Sequence, residues 1–247
     1  MDKAILSCRK LSKKFGNIQV LNGVDLEIKK GEVFCLLGAN GAGKTTLIKC
    51  ILQFLEPSEG QIFFRGGILS WRDIQSCFSY IPESFQLYRE LSAYELLRIL
   101  SLGLKNRTKD PSRILSLVGL KAEQYSKKIK TYSRGMLQRV GLAVCLAKDP
   151  EIIIMDDPFL GLDILGQVKM IEVIRRLKDE GRTIFFSSHI FSHVEKIADS
   201  LAVIDKGVLR FQGSGGDFLR SREAANLEEA FLKELKYYEK NNSHNPA

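Results

Sequence analysis

Gly38-Ala39-Asn40-Gly41-Ala42-Gly43-Lys44-Thr45 decides the reading of this 247-residue chain. It fits the pattern GxxxxGK[ST]. It stands between a short apolar run, Glu32–Gly38, and a helical pattern over Thr45–Leu55. Glycines let backbone N–H groups curl around phosphate oxygens with no Cβ in the way. The start of a helix adds a partial positive charge. Gly38, Ala39, Asn40, Gly41, Ala42, Gly43, Lys44, Thr45 and Thr46 are therefore the expected phosphate-binding set. Within it, Lys44 would reach the terminal phosphates and the Thr45 hydroxyl would hold Mg2+.

Residues 1 to about 80 otherwise read mainly as strands. Ile18–Ile28 alternates apolar and polar residues, and Gln61–Phe64 follows the breakers Pro57 and Gly60. From about 84 to 134 the character changes. Leu91–Leu104 and Ser112–Val118 have helical spacing, with Lys105–Pro111 as a polar link, which reads as a separate helical lobe. Beyond it come a helix at Arg134–Ala147, a strand at Glu151–Asp156 and a helix at Gln167–Glu180. A strand at Thr183–Ser187, a helix at Ser192–Asp199 and a strand at Leu201–Asp205 complete the series. Strands alternating with helices imply a mostly parallel sheet with helices on both faces. Leu227–Tyr238 reads as a terminal helix, and Asn241–Ala247 as a frayed tail.

A Mg2+-dependent phosphate site needs a carboxylate at the end of a nearby strand. Ile152-Ile153-Ile154-Met155-Asp156-Asp157 supplies it. Four apolar residues make a buried strand, and Asp156 emerges where an open sheet holds its ligands. Asp156 would hold the cation's shell, and Asp157 would orient or deprotonate the attacking water.

Tyr132-Ser133-Arg134-Gly135-Met136-Leu137-Gln138-Arg139 precedes that strand and resembles the signature motif of ABC ATPases, whose usual core is LSGGQ. Ser133 and Gly135 fit; Tyr132, Arg134 and Met136 depart. Other family positions fall in order. Phe15 stands where an aromatic stacks on adenine, with a strand-edge core residue as the alternative. Ile81-Pro82-Glu83 resembles the Q-loop, and Leu160-Gly161-Leu162-Asp163 the D-loop. His189 resembles the switch histidine that contacts the γ-phosphate.

The resemblance runs from Phe15 to about Gly213. It implies a P-loop NTPase core, α/β with a mostly parallel sheet, an N-terminal antiparallel β lobe and an inserted helical lobe. Residues 1–220 would form the ATPase domain, with the helical lobe at about 84–134, and 221–247 a helix and tail.

The resemblance also implies ATP and Mg2+ as ligands. Asp157, His189 and Lys44 would act in catalysis, and Thr45, Glu83 and Asp156 would bind metal. Ser133, Gly135 and Met136 would clamp the nucleotide of a second ABC subunit, identical or related. Integral membrane permease subunits would be the further partners, and the location the inner face of the cell membrane. The segment Leu227-Glu228-Glu229-Ala230-Phe231-Leu232 resembles exporter-type ATPases and favours export.

Two departures bear on turnover. The family's catalytic Glu is Asp157 here, one carbon shorter, so its carboxylate retreats by about 1.5 Å. The Q-loop Gln is Glu83, which adds a negative charge. Slow hydrolysis in the isolated subunit is the expectation.

Composition narrows the alternatives. No apolar run approaches the roughly 20 residues of a membrane span, and the start has no apolar stretch of a secretory signal. The five cysteines, at 8, 35, 50, 77 and 145, form no CxxC pair, which argues against zinc or a disulfide framework. Cys35 and Cys145 read as packed thiols, and His193 and His244 as surface residues. The net charge of +8 suits phosphate, anionic lipid or nucleic acid alike. A soluble ABC protein acting on nucleic acid or ribosomes would bring tandem ATPase domains or coiled-coil arms. A regulatory module that hardly hydrolyses ATP is motivated by Asp157, Glu83 and Arg134. A P-loop kinase would require the signature match to be accidental.

Overall fold

The structure is a computed structural model that describes residues 4–102 and 110–242, with side chains to residue 236. Its chain falls into two compact units, one of residues up to Leu69 and from Phe185 onward, the other Ser70–Ile184. The fold is mixed α/β, with a mostly parallel sheet and an antiparallel β lobe.

In the first unit, β1 (Ala4–Phe15) and β2 (Ile18–Lys29) form a long hairpin, paired from Ala4 opposite Lys29 to Phe15 opposite Ile18 with register shifts along the way. Alternation along β2 buries Val24, Leu26 and Ile28 on one face, and Leu21, beyond a register shift, is buried too. With β4 (Glu59–Phe64) and β5 (Gly67–Ile68) they make a four-stranded antiparallel sheet in the order β2-β1-β4-β5. The same unit holds β3 (Val33–Leu37), whose five residues are all buried, as in a strand covered on both faces. β3 pairs in parallel with β9 (Ser200–Asp205), and β9 turns back into β10 (Val208–Gly213). The unit also contains α1 (Lys44–Ile51), α7 (Phe191–Ile197), α8 (Gly215–Arg222) and α9 (Leu227–Asn242). The last four residues of β8 (Thr183–Ser188) belong here too, and Phe185 packs edge-on against Phe34 at 5.6 Å.

In the second unit, β6 (Phe78–Ile81) and β7 (Ile152–Met155) pair in parallel. Around them lie α2 (Trp71–Cys77), α3 (Ala93–Leu102), α4 (Pro111–Leu117), α5 (Arg134–Ala147) and α6 (Ile164–Asp179). Leu96, Leu97, Ile114, Leu115, Val118, Val140 and Leu142 are buried, and α3, α4 and α5 pack on one another.

Several boundaries differ from the sequence expectation. The first 80 residues, expected as mainly strand with one helix at Thr45–Leu55, hold a second helix, because Ser70 and Asp73 form a reciprocal capping box that starts α2. α1 stops at Ile51 rather than Leu55, because Gln53 turns into the left-handed region at φ 57°. Pro111 is not linker but the first residue of α4, after an Asp110 cap that accepts from Ser112 N–H at 3.0 Å. α6 begins at Ile164, before Gln167, because Asp163 accepts from Gly166 N–H at 2.7 Å. His193 is buried, at 4% exposure, not on the surface, since it lies on α7 beside buried Val194 and Ile197. The expected link at 105–109, the end of the helix at 103–104, His244 and the tail from 243 lie outside the described residues. Cys35 and Cys145 are buried thiols as expected, and burial pushes Cys145 up to about 12.

Candidate functional site

The phosphate-binding pattern lies in the first unit, between β3 and α1. Gly43 caps α1 from the left-handed region, at φ 106°, with no side-chain hydrogen bond. A Cβ there would meet Leu21 Cδ2 at 3.0 Å and the Val20 carbonyl at 3.1 Å, so only glycine fits without displacement. Gly38 is as tightly placed, its Cβ position 2.5 Å from the Ile204 carbonyl oxygen. Lys44 is buried, and its ammonium donates to the carbonyls of Gly38 at 2.7 Å and Ala39 at 3.0 Å. The loop therefore encloses a positive charge among backbone groups at a helix start, which is the complement of a phosphate. Thr45 and Thr46 follow in the first turn of α1.

Two neighbours steady this loop. Gly38 N–H donates to the Ser188 carbonyl at 3.3 Å, which sets the end of β8, and His189 after it, beside the loop's start. His189 is half-buried. The β9–β10 turn supplies Gly207, at φ 76°, whose N–H donates to the Ala42 carbonyl at 3.0 Å. Sequence reasoning missed Gly207; the only signal was a Lys-Gly pair after an apolar run. Phe15 ends β1 at 45% exposure, with Lys13 Nζ 5.1 Å from its ring centroid. That exposure removes the strand-edge core alternative and leaves an aromatic face accessible.

The carboxylates lie in the second unit. Asp156 N–H extends the β6–β7 ladder by donating to the Ile81 carbonyl at 2.9 Å. Asp156 and Asp157 are buried, and Asp157 holds φ 48°, a left-handed conformation that few residues other than glycine, asparagine and aspartate adopt. Glu83, after Pro82, is exposed. Burial raises the Tyr80 phenol above its ordinary range, and the charges of Asp156 and Glu83 raise it further. Among the described residues no group of three or more His, Cys, Asp or Glu could hold a metal ion. Mg2+ is characteristically bound by one or two carboxylates with substrate phosphates, and Asp156, buried just past the end of β7, offers one such carboxylate.

The start of α5 and the Leu160–Asp163 turn are brought together in this unit. Ser133 caps α5, accepting from Met136 N–H at 3.3 Å. The Cβ position of Gly135 is 3.7 Å from Gly166 Cα and 3.8 Å from Leu162 Cδ2. A Cβ on Gly161, at φ 68°, would strike the Arg134 guanidinium, so that side chain lies across the turn. Arg139 anchors the helix from below, donating to the carbonyls of Gly119 at 2.6 Å and Gly135 at 3.1 Å.

Residues 21–160 match the profile of the ABC transporter family. The chain belongs to the ABC transporter family. Among its relatives is an ABC transporter ATP-binding protein of Nostoc, 43% identical over 84% of this chain; the chain spans 64% of that relative's length. The lantibiotic transport ATP-binding protein SrtF of Streptococcus pyogenes is 37% identical, with 94% of this chain and 97% of the relative covered. A solved ATP-binding subunit of an ABC transporter is 32% identical and superposes with a TM-score of 0.81, covering 94% of this chain and 99% of the other. Among the described residues no helix is long and apolar enough to cross a membrane.

Proposed function

We propose that this ABC protein binds ATP with Mg2+, dimerises on it, hydrolyses it and so powers export through a separate membrane permease. The observation that carries the reading is the buried Lys44 ammonium inside the Gly38–Thr45 loop, at a helix start that no side chain caps. Phe15 would stack on adenine. Gly38 to Thr46 would hold the phosphates. Thr45, Asp156 and Glu83 would supply oxygens for Mg2+, which would neutralise phosphate charge when bound. Asp157 would take the proton of the attacking water, and His189 would contact the γ-phosphate. Residues 1–220 are read as the ATPase domain, with a helical lobe at about 84–134 and a C-terminal helix and tail from 221.

In this reading Ser133, Gly135 and Met136 of one copy clamp the ATP held by another, identical or related. Phosphate between two positive helix starts would close the pair, and its loss would open it. A permease resting on the chain at the inner face of the membrane would feel that motion. The transport role in the name of the streptococcal relative supports export, with lantibiotic-like peptides as the first cargo to try.

One further reading, a regulatory module with little hydrolysis, is favoured by the short Asp157 side chain in its left-handed turn. Mg2+-ATPase turnover across a protein concentration series separates the two, with Asp157→Asn as control. Turnover that rises more than linearly with protein and vanishes in the variant supports the motor. Binding and dimerisation without turnover would favour the regulatory module.

A further inference from the structure

α7 begins two residues beyond His189, and it is poorly equipped to hold itself. It has seven residues, and no side chain caps its start. A helix of fewer than about 12 residues is marginal alone and takes its stability from packing. On the strand side of His189 the chain is fixed. Gly38 N–H donates to the Ser188 carbonyl, and Ser188 Oγ accepts from Ile190 N–H at 3.0 Å, closing a turn around the histidine. On the other side, the histidine depends on what holds α7.

α7 packs on β3 and on α9. The α9 contact reaches the end nearer the histidine. Phe191, the first residue of α7, lies against buried Phe231 of α9, with ring centroids 5.3 Å apart. One turn along α7, Glu195 accepts at 3.0 Å from the N–H of Leu227, the first residue of α9. That bond satisfies one of the donors a helix start leaves unpaired. On each helix the two contacts are four residues apart, so they fall on one face. α9 is in turn anchored to the body of its unit. Buried Glu234 pairs with the Arg222 guanidinium at the end of α8, and Lys233 Nζ donates to the Glu223 carbonyl at 2.7 Å. α8 itself is seated on β10 through Phe218 and Phe211, with ring centroids 4.7 Å apart.

We propose that Phe231, on the C-terminal helix, is a positioning residue for His189: seated on Phe191, it holds the start of α7 and so fixes where the histidine is presented beside the phosphate loop. The proposal rests on the reading of His189 as the γ-phosphate contact given above. Phe231 does not touch the nucleotide; it acts through α7.

The test follows the His189 ring by NMR in the full chain, isotope-labelled in its three histidines. His189→Gln identifies the signal by its loss. The probes are ADP and a non-hydrolysable ATP analogue, each saturating and with Mg2+, so the readout needs no turnover. In the wild type the signal is expected to differ between the two, because only the analogue carries a γ-phosphate. Phe231→Ala removes the ring, and the difference is expected to be lost, while affinity for ADP stays at the wild-type value. Glu195→Ala cuts the second tie from an exposed position and should diminish the difference. A wild-type difference in Phe231→Ala overturns the proposal; should that variant not fold, a wild-type difference in Glu195→Ala does so. A parallel loss of ADP affinity also overturns it, since that would mark a merely structural role. If the wild type itself shows no difference between ADP and the analogue, the reading of His189 fails and takes this proposal with it.

Discussion

α1 and α5 both begin at a motif legible in the sequence, yet the two starts are built differently. α1 is entered through Gly43 at φ 106°, with no side chain capping it and Lys44 drawn back onto the loop carbonyls. α5 is entered through Ser133, whose hydroxyl already accepts from Met136 N–H. A helix start is a site of partial positive charge in either case. The first start keeps that charge, adds an ammonium and encloses both with glycine-only geometry. The second has an exposed cap and a first turn that contains Arg134 and no acidic residue. The contrast suits a site that holds its ligand alone against one that completes a ligand held elsewhere.

The largest effect expected from breaking this contrast is at Lys44. Lys44→Ala removes the enclosed charge and should lower ATP turnover by about 10²–10³-fold, measured as steady-state phosphate release. Turnover within a few-fold of wild type would mean that the loop does not carry the chemistry.

Gly43→Ala comes next. It forces a Cβ into the left-handed region and against the Val20 carbonyl, so it should cost about 1–3 kcal/mol of stability. Denaturant unfolding would read the loss, and nucleotide affinity should fall with it. Unchanged stability would show that the loop relaxes freely, contrary to its tight packing.

Ser133→Ala removes one cap and should cost about 1 kcal/mol, with Ser133→Thr close to wild type. Thermal melting of the nucleotide-free protein checks the cap. Loss of ATP-driven dimerisation beyond that cost would show a ligand role in addition.

These contrasts also explain what the sequence disclosed. The loop was legible because phosphate binding dictates its residues one by one: glycines for backbone approach, lysine for charge, threonine for the helix start. Asp156 was legible because four apolar residues announce a strand and the acid marks its end. α2 escaped because seven residues are too few for a helical period, and its capping box uses Asp73 where the familiar pattern has Glu or Gln. His193 escaped because a single polar residue between apolar ones gives no sign of which way a short helix turns its face. The closeness of Arg134 to Gly161 and the support of the loop by Gly207 are tertiary facts, and no local pattern encodes them.

A third helix start, that of α3, completes the comparison and has the smallest expected effect. Ser92 and Glu95 cap it reciprocally: Glu95 Oε2 accepts from Ser92 N–H at 2.7 Å, and Ser92 Oγ accepts from Glu95 N–H at 3.2 Å. Donation from the Ser92 backbone, then from its side chain, holds the Glu95 carboxyl below the usual range, with help from Lys128. A depressed carboxyl stabilises the fold fully above its unfolded value, about pH 4.3 for glutamate, and the contribution disappears as pH falls through the folded value. Glu95→Gln keeps an acceptor oxygen but no charge. The variant should therefore melt slightly below wild type at neutral pH, and the two curves should converge as the solution is acidified below pH 4. Parallel curves throughout would mean that the charge of Glu95 adds nothing to its cap. The difference between a fully capped start and the uncapped start of α1 would then be one of geometry alone.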